Sequence, residues 1–203
     1  NRPGTWQVRI LPRSLAWLNE AVWPVTIDPT FGYTSFGAST SGSLNNYMAA
    51  SYRDTPAATG TLDSVKAYYT AGGYNVTHSV YTSPSAAPSA KVAVSAGGTT
   101  AAGAWTTLNL AGEAVTAGTY YHGAVNAGGV VGIRYDAYSG KTSYYAPNTY
   151  SAGTAPATWP GGGGSDANIA YSIYVDYTEA AAGQPFLKRF GGVPFAALNK
   201  GVW

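Results

Sequence analysis

The sequence predicts an all-β fold, an antiparallel β-sandwich, from three observations. Residues 31–179 are rich in Gly, Ala, Thr, Ser and Tyr, and short runs of alternating apolar and polar residues recur along them. Clusters of Gly, Pro and Asn separate these runs, as turns separate strands. No long segment with a helical period lies between them. Closely spaced strands of this kind favour a β-sandwich of the jelly-roll type.

Seven segments of the middle region have the composition of strands. The clearest alternation begins at Val65, where Val65, Ala67 and Tyr69 would share one face of a strand. The stretch that precedes the last strand is rich in Gly and Tyr and is predicted to be mostly loop. In chain order, the predicted strands are 62–69, 76–81, 91–94, 105–110, 119–126, 133–135 and 170–177.

Composition changes near residues 30 and 180, which predicts three parts. These are an N-terminal flank of residues 1–30, a sandwich of residues 31–179 and a C-terminal tail of residues 180–203. In the first flank, residues 14–20 fit either a short helical turn or an irregular loop, and residues 25–28 fit a strand. Both ends are basic, whereas the middle carries five basic and seven acidic residues. This charge difference favours head-to-tail contact between copies.

The two flanks carry apolar side chains that must be covered. Trp6, Val8 and Ile10 alternate with polar residues, which is typical of a strand with one apolar face. Exposing each large side chain costs about 1.5–3 kcal/mol. The flanks either fold back onto their own sandwich or add a strand to the sheet edge of another copy. The predicted assembly residues are Trp6, Val8, Ile10, Phe186, Phe190, Val193, Phe195 and Trp203.

Composition also argues against several classes of partner and site. No run of 18 apolar residues exists, so no membrane span is expected. The net charge of +2 without a basic block argues against nucleic acid as a partner. There is no Cys and no D-x-D-x-D-G loop, so we expect no thiolate zinc site, no other metal and no cofactor. Few charges and much Gly, Ser, Thr and Tyr favour an extracellular or virion surface.

The start of the chain carries an expectation of its own. It begins at Asn1 and shows no signal peptide. We therefore expect either that a longer precursor was cut or that the sequence is part of a longer chain.

Few residues are candidates for catalysis. His78 and His122 are the two histidines, and neither lies in a known catalytic motif. A glycosidase needs two carboxyl groups about 5–10 Å apart, and Asp136 with Asp166 is a pair that the sequence leaves open. Both stand in turn-like settings, where Asp commonly bonds to backbone. We therefore expect that the chain is not an enzyme.

Aromatic residues suggest a binding site instead. Several Tyr and one Trp lie between residues 135 and 159, and aromatic faces at the rim of a sandwich can stack on sugar rings. The alternative is that these rings fill volume over strands of small residues. The predicted glycan-binding residues are Tyr138, Tyr144, Tyr145 and Trp159. Asn75 begins the one N-glycosylation sequon, in a predicted turn, and chance occurrence is the alternative there.

The order of motifs in the middle resembles a known family. Residues 61–68 are similar to its early strand, residues 115–121 to its "LTAGTYY" stretch, and residues 171–178 to its closing strand. This family is a jelly-roll module of bacterial, archaeal and phage-associated surface proteins, and the resemblance covers roughly residues 31–178. Residues 23–30 resemble the "YPVTIDPT" junction that precedes β modules in large secreted bacterial proteins. The resemblance implies a stalk, adhesion or carbohydrate-recognition role and brings no set of binding residues.

These observations lead to two hypotheses. The first is a structural subunit of an extracellular filament, a pilus-like fibre or a phage appendage, which assembles head-to-tail by strand addition through its terminal segments. The second is a carbohydrate-binding or adhesion module of a larger surface protein. The partners are then further copies of the chain in the first case and glycans in the second.

Overall fold

A computed structural model describes residues 29–180, and these residues form two antiparallel β-sheets. The predicted all-β sandwich is confirmed. Strands and turns, without a helix, make up this part of the chain. The strands are β1 Thr30–Gly32, β2 Ser39–Thr40, β3 Tyr47–Ala50, β4 Gly60–Tyr68, β5 Asn75–Thr82, β6 Lys91–Val94, β7 Gly98–Thr99, β8 Trp105–Asn109, β9 Ala114–Val115, β10 Tyr121–Ala127, β11 Arg134–Pro147, β12 Gly164–Tyr171 and β13 Ile173–Glu179.

The two sheets differ in size. The smaller has the order β1-β13-β4-β8, with β9 also paired to β4. The larger has the order β12-β11-β3-β10-β5-β6, with β2 paired to β11 and β7 to β5. Strand β12 therefore lies at one end of the larger sheet and pairs with β11 on one side.

The main core lies between the sheets. Apolar side chains alternate along β4 and β13, so that Val65 faces its register partner Val175 with both fully buried. Val80 and Val125 belong to the same buried cluster from the larger sheet. Side chains of opposing sheets interdigitate in this way in β-sandwiches.

Part of the outer face of the larger sheet, over β3, β5 and β10, is also covered. Strand β10 is buried along its whole length, on both faces. Its outward Ala124 packs in a second cluster with Met48, Ala50 and Tyr81. The segment 148–163 lies over this cluster, and it is tied down where the Tyr81 hydroxyl donates to the carbonyl oxygen of Pro156 at 2.9 Å. Small residues on β3 and β10 leave the room that this segment fills.

Two sequence predictions are wrong in the last third of the sandwich. The segment 170–177 is not one strand, because the chain leaves β12 and enters β13 of the other sheet at Ser172. Ser172 is fully buried there, and its hydroxyl oxygen accepts from the Gly37 N–H at 2.9 Å. The second error concerns length, since the strand predicted at 133–135 continues to Pro147 and most of the expected loop is sheet.

Several predictions concern residues outside the described range. The helical turn at 14–20, the strand at 25–28 and both flanks beyond residues 29–180 fall there. The same holds for all the predicted assembly residues, Trp6, Val8, Ile10, Phe186, Phe190, Val193, Phe195 and Trp203.

Candidate carbohydrate-binding site

A long bulge interrupts the pairing of β11 with β12. Ala137 pairs with Ile169 and Thr142 pairs with Ala167, so four residues of β11 stand opposite Asn168 alone. Bulges re-aim side chains and are frequent beside binding sites. This one carries Tyr138 and Lys141 out of the regular β11 alternation.

The bulge brings Tyr138 into an aromatic cluster with Tyr33 and Tyr52. The ring centroids of Tyr138 lie 5.7 Å from those of Tyr33 and 5.8 Å from those of Tyr52. The Tyr33 hydroxyl donates to Asp136 at 2.7 Å, and the Ala38 N–H also donates to that carboxylate. These two bonds hold the pKa of Asp136 below its usual value. Tyr138 remains 41% exposed and is free to contact a ligand.

Three of the four residues predicted to bind glycans line a single groove. Tyr144, Tyr145 and Trp159 bound it together with residues 160–165, and its volume is about 310 Å³. We call this feature the aromatic groove. Tyr138 does not line it.

Glycines shape one wall of the aromatic groove. A Cβ on Gly163 would overlap the carbonyl oxygen of Tyr145, and a Cβ on Gly164 would meet the Tyr145 ring and hydroxyl. Only glycine therefore lets the segment before β12 approach β11 so closely. The groove depends on Gly163 and Gly164 as well as on its rings.

The three aromatic rings of the groove differ in how much of each packs against the protein and how much is exposed. Trp159 packs edge-on against Tyr81 at 5.3 Å and its backbone N–H donates to the Ser89 carbonyl. Tyr144 packs against the second hydrophobic cluster, on the outer face of the larger sheet, to which Tyr81 belongs. Tyr145 is 37% exposed. Trp159 and Tyr144 are partly buried in this way, as the volume-filling alternative expects, while Tyr145 is the most accessible of the three rings.

A second depression adjoins the aromatic groove at Tyr145. It has a volume of about 470 Å³ and is lined by Tyr47, Tyr135, Tyr171 and Asp166 as well as Tyr145. The Tyr171 hydroxyl donates to Asp166, and burial together with this bond raises the pKa of Tyr171 far above its usual value. We call it the Asp166 pocket. Its carboxylate and hydroxyl groups are acceptors and donors that suit sugar hydroxyls.

A third depression adjoins the groove at Tyr144. Tyr52, Arg53, Tyr120 and Lys141 line it with Tyr144, and its volume is about 320 Å³. We call it the cationic pocket. The sequence does not predict that Arg53 and Lys141 meet, because they stand 88 positions apart and Lys141 lies in the bulge of β11.

The structure does not bring Asp136 and Asp166 together. Both lie in strands rather than turns, because Asp136 pairs with Ala170 and Asp166 with Ser143. Ala170 is four residues from Asp166 along β12, or roughly 13 Å at about 3.3 Å per residue. The two carboxylates accept from different tyrosines.

Both histidines are buried strand residues with defined partners. His78 Nδ1 lies 2.8 Å from the Val65 carbonyl oxygen and must donate, so its Nε2 accepts from the Tyr69 hydroxyl. His122 Nδ1 lies 2.7 Å from the Ser51 carbonyl oxygen and Nε2 lies 3.2 Å from that of Ala86, so the neutral ring donates to one of them, the closer one at Ser51. Burial lowers the pKa of each histidine to about 4. Both rings are therefore neutral near pH 7.

The predicted glycosylation residue Asn75 is the first residue of β5 and not part of a turn. Its side chain is exposed, whereas Thr77 of the sequon is buried and accepts from the Gly153 N–H at 3.1 Å. Modification of Asn75 stays a prediction. Within residues 29–180, no group of three His, Asp or Glu side chains is placed to hold a metal, and no helix is long and apolar enough to cross a membrane.

No protein-family model matches the chain, and no curated protein resembles it at a significant level. The likeness to the jelly-roll surface module therefore stays a prediction from the motifs quoted above.

Proposed function

We propose that this chain is a non-enzymatic adhesion module of an extracellular or virion surface, and that it binds glycans through the aromatic groove. One observation carries the proposal: Tyr144, Tyr145 and Trp159 line a common groove of about 310 Å³. This volume is within the range of ligand sites, which combine apolar rings with a few polar groups. The low content of charged residues and the abundance of Gly, Ser, Thr and Tyr support the extracellular or virion setting.

The chemistry of the groove suits a sugar. The faces of pyranose rings are rich in C–H groups and pack on aromatic rings, and their hydroxyls need donors and acceptors. Tyr145 supplies the accessible ring, and it separates the aromatic groove from the Asp166 pocket. A chain of two or three sugars would reach from one depression to the next across Tyr145.

A glycan array with the full 203-residue chain tests this function. We expect binding to a defined set of oligosaccharides and its loss in Trp159→Ala and Tyr145→Ala. Phe36→Ala is the matched control, because Phe36 is an exposed aromatic residue that lines none of the three depressions. Absence of binding to any glycan, or equal loss in all three variants, would contradict the proposal.

A second candidate is a structural subunit of an extracellular filament, a pilus-like fibre or a phage appendage, with further copies of the chain as partners. Strand β12 favours it, because this edge strand has eight residues and, within residues 29–180, pairs only with β11. An unpaired edge accepts an added strand. The added strand would come from a flank of another copy, which carries the predicted assembly residues.

Light scattering distinguishes the second candidate. The full-length chain should form assemblies that grow with concentration, and deletion of residues 1–12 should shorten or abolish them. If both chains are monomers at high concentration, strand addition by this flank is wrong. The two functions are compatible, since a fibre would display many glycan sites and gain avidity.

A further inference from the structure

The cationic pocket concentrates positive charge in a region that is acidic overall. Residues 31–179 contain five basic and seven acidic residues, yet Arg53 and Lys141 line the same depression. The other three basic side chains do not line it. Lys66 pairs with Asp176 at 2.8 Å, Lys91 donates to the Ala155 carbonyl and Arg134 donates to the Ala38 carbonyl.

Neither cation of the pocket has a carboxylate partner in the described part of the chain, where Lys66 and Asp176 form the only ion pair. The Arg53 guanidinium is held by one bond, from Nη1 to the Ser85 carbonyl at 2.9 Å, which leaves its other N–H groups for a ligand. It lies 4.4 Å from the centre of the Tyr120 ring.

Lys141 is held over aromatic faces instead of an acid. Its Nζ lies 4.4 Å from the Tyr52 ring centre and 5.9 Å from that of Tyr138. A cation over an aromatic face keeps its full charge and its N–H donors. The pocket therefore combines two available cations with the exposed ring of Tyr120, which is 45% exposed.

The acidic residues near the pocket, Asp54 and Asp136, bond to groups other than its two cations. The two carboxylate oxygens of Asp54 accept from the N–H groups of Gly32 and Thr55, each at 3.0 Å. The Asp136 carboxylate accepts from Tyr33 and Ala38. Neither residue lines the depression. An anion in the pocket would meet cations and tyrosines without a facing carboxylate.

We infer that the cationic pocket recognises the carboxylate of an acidic sugar, with Arg53 and Lys141 on the carboxylate and Tyr120 and Tyr144 on the ring. This inference rests on the proposed glycan-binding function and extends it to a substrate class. Tyr144 lines both the cationic pocket and the aromatic groove. A glycan with one acidic unit in the pocket would continue over Tyr144 into the groove. Two sources supply this chemistry, uronates within a polysaccharide and terminal sialic acids.

Calorimetric titration of the full chain at low ionic strength tests the inference with two matched ligand pairs. One pair is trigalacturonate and its methyl ester, and the other is sialyllactose and lactose. We expect at least one acid to bind about tenfold more tightly than its neutral counterpart, with affinity that falls as salt rises. The preferred acid identifies the source.

Substitutions locate the effect. Arg53→Gln and Lys141→Gln should each weaken binding of the acidic ligand about tenfold and that of the neutral ligand less than about twofold. Lys141→Arg, which keeps the charge, should retain the preference. Lys66→Gln is the control, since it removes one positive charge from the other sheet.

The outcomes separate this inference from the proposed function. Equal binding of acidic and neutral ligands, or an equal loss in Lys66→Gln, would overturn the acidic-sugar inference and leave glycan binding intact. No binding of any neutral or acidic glycan would overturn both.

Discussion

The side-chain oxygen of Asn168 accepts a hydrogen bond of 2.9 Å from the backbone N–H of Gly140 across the β11–β12 bulge. Both residues have positive φ, 58° for Asn168 and 75° for Gly140. Each strand thus contributes one left-handed residue, and the amide of Asn168 closes the bulge that positions Lys141. The shape of the cationic pocket depends on this pair.

Gly140→Ala should therefore weaken binding of acidic ligands and destabilise the chain by about 1 kcal/mol, since a Cβ is strained at positive φ. Gly118 is the matched control, with the same φ of 75° and, like Gly140, no atom within 4 Å of an added Cβ. Gly118→Ala should cost similar stability and leave binding unchanged. Equal effects of both variants on binding would show that the bulge does not position the site.

The rings of the aromatic groove should differ in their effect on stability. Trp159→Ala removes an edge-on contact with Tyr81 and part of the cover over the outer cluster, so we expect a loss of roughly 2 kcal/mol in the free energy of unfolding. Tyr145→Ala should cost less, about 1 kcal/mol, because 37% of this side chain is exposed. Urea denaturation measures both, and a larger loss for Tyr145→Ala would contradict the packing described.

Stability should fall as the pH drops from about 6.5 to 4. The unfolded chain protonates both histidines near pH 6.5, whereas burial lowers the pKa of His78 and His122 to about 4 in the folded chain. The unfolded state then binds more protons, which costs roughly 2 kcal/mol per histidine by pH 5. Above the unfolded pKa this contribution to stability is fully present.

Urea denaturation at pH 7, 6 and 5 measures this dependence. His78→Asn and His122→Asn keep a donor near the Nδ1 position, so each variant should be less sensitive to acid even where it is less stable at pH 7. An unchanged fall in both variants would assign the acid sensitivity to carboxylates.

Ser172→Ala should destabilise the sandwich by about 1–3 kcal/mol, because it leaves the buried N–H of Gly37 without its acceptor where the chain changes sheets. Ser165→Ala, at an exposed position of β12, is the control and should change stability by less than about 0.5 kcal/mol. Similar melting temperatures for the two variants would show that the Ser172 bond contributes little.

The strands that the sequence predicts well are those with a strong alternation or clear boundaries. Segment 91–94 matches β6 and segment 62–69 nearly matches β4, because apolar residues on one face must meet the core. The full length of β11 is not predicted from alternation. Its alternation is broken at residues 138–141 by the bulge, and only Ser143 and Ala146 along it are buried, so no apolar face marks the strand.

The candidate site was predictable in part for a related reason. Tyr144, Tyr145 and Trp159 are near one another in sequence, and the large number of aromatic residues in that stretch marked it. Arg53 and Lys141 carry no local signal. Their approach depends on the register of β11 and on the bulge, which are properties of pairing across the sheet.

Segment 148–163 has two roles. It covers part of the outer face of the larger sheet, and it contributes Trp159 to the aromatic groove. Natural variation at Trp159 is consequently limited by folding, whichever sugar the chain meets. Changes in ligand preference would arise at accessible positions such as Tyr145, Tyr120 and Lys141, where a new side chain leaves the covered strands undisturbed. Diversification among relatives should therefore concentrate on the rims of the depressions and spare the segment that closes the sheet.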